Sequence, residues 1–233
     1  MRWVLGMIAE GECRVLGGRS NFWEMALVLA ADDPECVSSA VRLLRAGRLV
    51  CYPTDTVYGV GAVAGDDEAV RRLYEAKGRP GEQPLPLLIA DAGDADEVAE
   101  VTPDARALMG RFWPGGLTIV LRRRVGFQSA ALSGQDSVGL RVPDCEVVRD
   151  IIRALGEPLT GTSANRSGQR AAVTAGEVVS QLGDAISLVI DGGAAPGGVE
   201  STAIDLTGEA PRILRQGAAG RSELEKVLCR AIS

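Results

Sequence analysis

The sequence predicts an α/β domain built on a twisted, mixed sheet with flanking helices. Three observations carry this. Short apolar strand-like runs alternate with amphipathic helical segments along most of the chain. Towards the end, strands follow one another with no helix between them, which argues against a simple doubly wound sheet. No internal repeat, low-complexity linker or second-domain boundary breaks the pattern, and a hydrophobic fraction of 46% over 233 residues is ample for one core.

Residues 1–24 show no clear period and differ from the rest of the chain. They are expected to form an N-terminal extension to a domain spanning residues 25–233, and Met25 is a candidate for the native start. The apolar stretch after Met1 is interrupted by Glu10 and Glu12, unlike a signal peptide. Residues 26–30 read as a strand. Asp32-Asp33-Pro34 is a capping sequence with Pro at the first helical position. It opens a helix to Ala46 with Val37, Val41 and Leu44 on one face and Gly47 as its stop. A strand at 48–52 ends at Pro53. A helix at 67–77 carries Val70, Leu73 and Tyr74 on one stripe and stops at Gly78. A strand at 85–90, helices at 95–101 and 103–111, and strands at 117–121 and 137–142 come next. The helix at 145–155 gathers Val147, Val148, Ile151, Ile152 and Leu155 on one stripe. Strands are expected at 158–160, 187–190, 202–206 and 213–214, with helices at 175–182 and 221–231.

Composition excludes several chemistries. The chain has no histidine. It therefore holds no Ser-His-Asp triad, no Cys-His pair and no His-ligated metal. Five scattered cysteines (Cys13, Cys36, Cys51, Cys145, Cys229) contain no CxxC and read as a reduced, cytoplasmic chain with neither disulfide framework nor zinc site. A net charge of −6 and few aromatics argue against a broadly nucleic-acid-binding surface or base stacking as the main mode of recognition. No apolar run is long enough to span a bilayer.

Only two lysines stand against 23 arginines, and one of them opens Lys77-Gly78-Arg79-Pro80. A compact ammonium beside a planar guanidinium suits a polyphosphate. Lys77 in the last turn of its helix equally complements the helix dipole. Five segments rich in Gly, Pro, Ser and Thr fall at predicted strand ends, where ligands gather in α/β proteins. They are 53–61, 77–85, 112–118, 161–168 and 191–202, with Arg215-Gln216-Gly217 nearby. In the first, Thr and Asp supply hydroxyls and a carboxylate, or simply local backbone bonds. In the fourth, glycines and small hydroxyls let backbone N–H groups approach an anion, or serve as a polar loop. The aromatic pair Phe112-Trp113 reads as core packing. Neither a Walker A motif nor a GxGxxG after a strand is present.

In order along the chain, PTDTVYGVG (53–61), KGRPGEQPL (77–85), FWPGGLT (112–118), SVGLRVP (137–143), TSANRSG (162–168), ESTAIDL (200–206) and ILRQG (213–217) resemble the YrdC-like family of threonylcarbamoyl-AMP synthases. The resemblance implies the family's twisted α/β fold with a deep, cation-lined cavity, in its short form without the extra C-terminal domain of longer members. It implies that L-threonine and bicarbonate form a carbamate that attacks the α-phosphorus of ATP and releases pyrophosphate. The threonylcarbamoyl-AMP would be handed to a tRNA threonylcarbamoyl transferase for modification of the adenosine beside the anticodon. Mg²⁺ would arrive with the phosphates, and RNA would be bound weakly if at all.

By the same resemblance Lys77 and Arg79 are the catalytic cations. Lys77, Arg79, Gln83, Ser137, Ser163, Asn165 and Arg215 fall where family members contact ATP. Thr56, Arg141, Ser163 and Ser201 fall near the threonine, Arg141 being suited to a carboxylate as a bidentate partner. Thr54, Tyr58 and Leu88 are further candidates. The sequence departs from the family at Leu88 and at Asp144-Cys145, where histidines are frequent, and at Gly116, where Pro is usual. Two other readings stay open: a relative that makes a different carbamoyl-adenylate, and a non-catalytic module for double-stranded RNA or tRNA.

Overall fold

The computed structural model describes residues 26–78 and 83–233, so the expected extension at 1–24 and the candidate start Met25 lie outside the described residues. In chain order the elements are β1 (Leu27–Ala30), α1 (Cys36–Arg45), β2 (Val50–Tyr52), β3 (Gly59–Gly61), α2 (Asp67–Lys77), β4 (Leu87–Leu88), α3 (Ala95–Val98), α4 (Pro103–Phe112), β5 (Leu117–Arg122), β6 (Ser137–Arg141), α5 (Glu146–Leu155), β7 (Leu159–Thr160), β8 (Thr162–Ser163), α6 (Ala175–Leu182), β9 (Leu188–Asp191), β10 (Thr202–Asp205), β11 (Arg212–Arg215) and α7 (Arg221–Leu228).

The α/β class with mixed pairing is as expected, but the strands divide between two sheets. One has the order β1-β9-β2-β3-β8 and the other β11-β10-β5-β6-β4-β7. In the first, β9 runs parallel to β1 and β2, and β3 is antiparallel to both β2 and β8. In the second, β10 is parallel to β5 and β4 is parallel to β6, while the remaining contacts are antiparallel.

Both faces of β2 and β9 in the first sheet are covered, so these strands read as nearly continuous apolar runs. Their side chains alternate between two cores with the strand period of two. Val50 and Tyr52 enter a core with α1 and α5, whereas Cys51 enters the larger core with α2, α4, α6 and α7. Leu188 and Ile190 take the first side and Val189 the second. The stripe predicted on α5 supplies Val148, Ile151, Ile152 and Leu155 to the smaller core. Each such side chain contributes about 1.5–3 kcal/mol on burial.

Helix ends follow local chemistry. Asp66 accepts from the backbone N–H groups of Glu68 and Ala69, both at 3.0 Å, and starts α2. Gly78 ends it in the left-handed region at φ +59°. Lys77 is thereby placed at a defined helix end. Asp32-Asp33-Pro34 forms a turn before α1 rather than its cap, with Asp33 Oδ1 accepting from Glu35 N at 2.8 Å. The helix expected at 95–101 stops at Val98, because Ala99 leaves it to form an antiparallel bridge with Arg123.

The two sheets meet along a seam. Val63 bridges Leu159, and Ala62 exchanges bonds with Thr160, accepting from its N–H at 2.8 Å and donating to its Oγ1 at 2.9 Å. The chain leaves the second sheet at Thr160 and joins the first at Thr162, with Gly161 between them donating to Pro86 O at 2.7 Å. Tyr52 lies across this seam and donates from its hydroxyl to Thr160 O at 2.9 Å. Its ring requires glycine opposite: a Cβ at Gly59 would stand 2.5 Å from the ring, and one at Gly61 would stand 2.9 Å from the hydroxyl. Gly59→Ala is therefore expected to destabilise the protein by about 1–3 kcal/mol through overpacking. A lowered urea midpoint with an unchanged slope checks this; an unaltered midpoint contradicts it.

Candidate functional site

A cavity of about 690 Å³ opens along the seam. Every described candidate residue lines it: Thr54, Thr56, Tyr58, Lys77, Gln83, Leu88, Ser137, Arg141, Ser163, Asn165, Ser201 and Arg215. Arg79 lies outside the described residues.

Lys77 is 4% exposed despite its charge. Its side chain leaves the end of α2 and crosses to the segment after β8. There Nζ donates to the carbonyl oxygens of Ser163 and Asn165, the latter at 2.9 Å, with Asn165 Oδ1 at 3.4 Å. The Lys77 carbonyl in turn accepts from Ser167 N at 2.8 Å. A simple dipole-complementing role would leave this side chain in water; here carbonyl dipoles take the place of water around a buried ammonium. Asn165 closes the same loop by donating from Nδ2 to Gln169 O at 2.7 Å and Arg166 O at 3.0 Å. The loop is tied to the first motif where Ala164 N donates to Tyr58 O at 2.8 Å.

Arg141 ends β6 and is 7% exposed. Nε donates to Gly115 O at 2.9 Å, Nη1 to Thr56 Oγ1 at 3.0 Å, and Nη2 to Asp55 Oδ1 at 2.6 Å. Burial lowers the Arg141 pKa, and the Asp55 carboxylate opposes that shift. Asp55 Oδ1 also accepts from Asp144 N at 3.1 Å. A guanidinium has five N–H donors, so one on each terminal nitrogen remains beyond these three bonds. Thr54 Oγ1 donates to Val57 O at 2.7 Å and lies 2.9 Å from Thr56 Oγ1, which orders the turn carrying Thr56.

At the other wall, the start of β10 and the end of β11 lock together. Thr202 Oγ1 accepts from Gly217 N and Ala219 N at 2.8 and 3.0 Å. A Cβ at Gly217 would lie 2.2 Å from Glu200 O, so only glycine lets these backbones approach. Arg215 then donates from Nε to Ser201 O and from Nη2 to Ser201 Oγ, both at 3.1 Å, and from Nη1 to Glu200 Oε2 at 2.7 Å. Ser201 Oγ also lies 2.8 Å from Thr118 Oγ1 on β5.

The remaining candidates are more peripheral or apolar. Gln83 is exposed, and its carbonyl accepts from Tyr74 at 2.8 Å. Ser137 begins β6 at the rim. Tyr58 donates to Gly193 O at 2.7 Å, and burial raises its pKa, so it remains a phenol. Leu88 is buried in the smaller core and is the cross-strand neighbour of Arg141. Of the pair expected to pack in the core, Trp113 is buried there and donates to Leu117 O at 2.6 Å, while Phe112 packs against that core partly buried.

Burial pushes the thiols of Cys51 and Cys145 above their ordinary range, so neither is a ready thiolate. The described cysteines are all free. Among the described residues no His, Cys, Asp and Glu cluster could hold a metal ion, and no helix is long and apolar enough to cross a membrane. Sequence reasoning missed Asp55 as the partner of Arg141, and it missed Glu200, Asp205 and Arg212 as cavity residues. Arg141 and Asp55 are far apart in the chain, and no local spacing signals their pairing.

A family model for Sua5, YciO and YrdC, described as telomere recombination, matches residues 42–217. The chain belongs to the Sua5/YciO/YrdC family. Two curated relatives are both named threonylcarbamoyl-AMP synthase. That of Bacillus subtilis is 38% identical over 86% of this chain and 58% of the relative. That of Pyrococcus abyssi is 41% identical over 81% of this chain and 56% of the relative. The chain thus spans less than two thirds of the length of these relatives. The crystal structure of P. abyssi Sua5 complexed with L-threonine superposes with a TM-score of 0.82 at 37% identity, covering 90% of this chain and 62% of that one. The Sua5/YciO/YrdC motifs named from the sequence are the segments that converge on the cavity.

The Arg141–Asp55 pair is nearly buried, with side-chain exposures of 9% and 17%. Removing one partner of such a pair strands the other. Asp55→Ala is expected to cost about 3 kcal/mol of unfolding free energy, and adding Arg141→Met should recover part of it. Chemical denaturation of the single and double variants checks both signs.

Proposed function

We propose that this chain is a threonylcarbamoyl-AMP synthase that joins L-threonine, bicarbonate and ATP and releases pyrophosphate. The observation that carries the reading is the convergence on one cavity of a buried ammonium, Lys77, with a buried guanidinium, Arg141, that keeps two donors beyond its structural bonds. The relatives' shared name and the L-threonine complex of P. abyssi Sua5 support it.

Adenylation asks little covalent help of a protein. It needs aligned reactants and fixed positive charge where charge develops on the phosphates. In this reading the two remaining Arg141 donors take the amino-acid carboxylate, and the hydroxyls of Thr56 and Ser201 lie beside it. The threonine nitrogen carries the carbamate, whose oxygen attacks the α-phosphorus. Lys77 stands over the phosphates, Arg79 is assigned to them by its place in the family motif, and Arg215 reaches them from the opposite wall. The segment 163–165 faces the nucleotide, with Gln83 and Ser137 at the rim. Mg²⁺ is carried in by phosphate oxygens, which suits a hard cation. The product is a reactive mixed anhydride, consumed by a tRNA-modifying transferase.

The test is pyrophosphate release from ATP and bicarbonate with L-threonine, with serine, or with no amino acid. Threonine-dependent release is expected. Lys77→Ala should lower it by about 100-fold or more. Arg141→Lys should raise the KM for threonine more than it changes kcat. Release with another amino acid but not threonine would indicate a different carbamoyl-adenylate. No release from folded wild-type protein would sink the synthase reading.

A further inference from the structure

The cavity's guanidinium groups carry internal carboxylate partners that differ in how firmly they are held. Asp55, beside Arg141, is nearly buried and is fixed a second time by Asp144 N. Glu200, beside Arg215, is 37% exposed, and the Arg215 side chain is 45% exposed. Both line the cavity. The Glu200 carboxylate takes its hydrogen bond from Arg215 Nη1 at 2.7 Å. Arg215 itself does not need Glu200 for orientation, because Nε and Nη2 are set by the carbonyl and hydroxyl of Ser201. Ser201 is buried and further tied to Thr118. The guanidinium plane is therefore held from one edge by neutral oxygens, and its Nη1 corner is covered by a displaceable charge.

We infer that Glu200 is a displaceable counter-charge that holds the Nη1 corner of Arg215 until nucleotide binds and exchanges with a phosphate oxygen of the bound nucleotide or of pyrophosphate. This rests on the adenylating reading of the cavity. The exchange keeps Arg215 paired in both states, so its charge never faces the cavity uncompensated. It also gives departing pyrophosphate a competitor in place: Glu200 re-pairs with Nη1 as the anion leaves. A half-exposed ion pair is weak and screened, so a phosphate oxygen displaces it at small cost. The Asp55–Arg141 pair, buried and doubly anchored, does not exchange.

The test is equilibrium binding of ATP and, separately, of inorganic pyrophosphate to the full chain by calorimetry. It compares wild type, Glu200→Gln, Arg215→Ala and the double variant, with thermal melts confirming that each is folded. Glu200→Gln keeps the shape and removes the charge. It is expected to bind both ligands about two- to fivefold more tightly, the range set by a weak exposed pair. In the Arg215→Ala background the same substitution should change nothing. Weaker or equal binding by Glu200→Gln overturns the exchange. So does a gain of equal size in the Arg215→Ala background, which would mean a general field effect. If the wild-type chain binds no ATP, the nucleotide reading falls and the exchange falls with it. If wild type binds ATP and Glu200→Gln leaves the affinity unchanged, only the exchange falls.

Discussion

The buried ammonium of Lys77 is the constraint around which this cavity is organised. A charge that is 4% exposed is stable only where dipoles replace its lost water. Here they come from the carbonyls of residues 163 and 165, so the end of α2 and the segment after β8 must sit at hydrogen-bond distance. That distance is set from both sides. Asp66 and Gly78 fix where α2 begins and ends, and the antiparallel pairing of β3 with β8 fixes where the segment emerges. The glycines of β3 are part of the same requirement, because Tyr52 lies over them and joins the two sheets through Thr160. Local backbone choices far apart in sequence thus converge on one ammonium position.

Charge in the cavity is graded. Lys77 is held by dipoles, Arg141 by a carboxylate that is itself anchored, and Arg215 by a carboxylate in partial contact with solvent. In the proposed adenylation the cavity receives several negative charges and releases some of them, and it cannot leave its cations bare, since an isolated buried charge is costly. Nor can it neutralise them all by buried pairs, which would compete with substrate. Grading burial from one wall to the other meets both demands, and it does so in a chain whose net charge is −6.

The sequence was most legible where one residue reports on its own neighbourhood. The stripe on α5, the Gly78 stop and the motifs at strand ends follow from periodicity and turn chemistry, and all appear in the structure. Two strands did not announce themselves. The run Gly59-Val60-Gly61 lacks β propensity, and Thr162-Ser163 is too short to show a period. Both are strands because of what lies opposite: a tyrosine ring that excludes side chains in one case, and the other strand's backbone in both. The division into two sheets went unread for the same reason, since it depends on which strands pair, and one of the crossings between the sheets takes place over a single residue, Gly161. Site residues that act alone, such as Lys77 and Arg141, could be named from motifs. The pairing of Asp55 with Arg141 and of Glu200 with Arg215 could not, because a carboxylate's pairing is a property of the folded chain.

The departures from the family pattern can be weighed by whether the fold absorbs them. Leu88 is apolar and 4% exposed, it joins the core of α1 and α5, and it fills the space a Cβ at Gly161 would need. It leaves no polar group stranded. Gly116 is likewise accommodated: a Cβ there would stand 2.7 Å from Ala218 Cβ, so the absence of a larger residue lets the 215–219 turn close on the 112–118 segment. That turn also carries Arg215 towards the cavity. Both departures are therefore packed into the structure rather than tolerated by it. Their positions differ in consequence. Gly116 acts through backbone approach, so it alters the frame without altering what the cavity presents. Leu88 lines the cavity beside Arg141, so it changes the surface an amino acid would meet, offering methyl groups where a histidine would offer a hydrogen bond. Under the proposed synthase function, a difference in substrate preference between this chain and its relatives is thus expected at the amino-acid end, next to a guanidinium already fixed by Asp55.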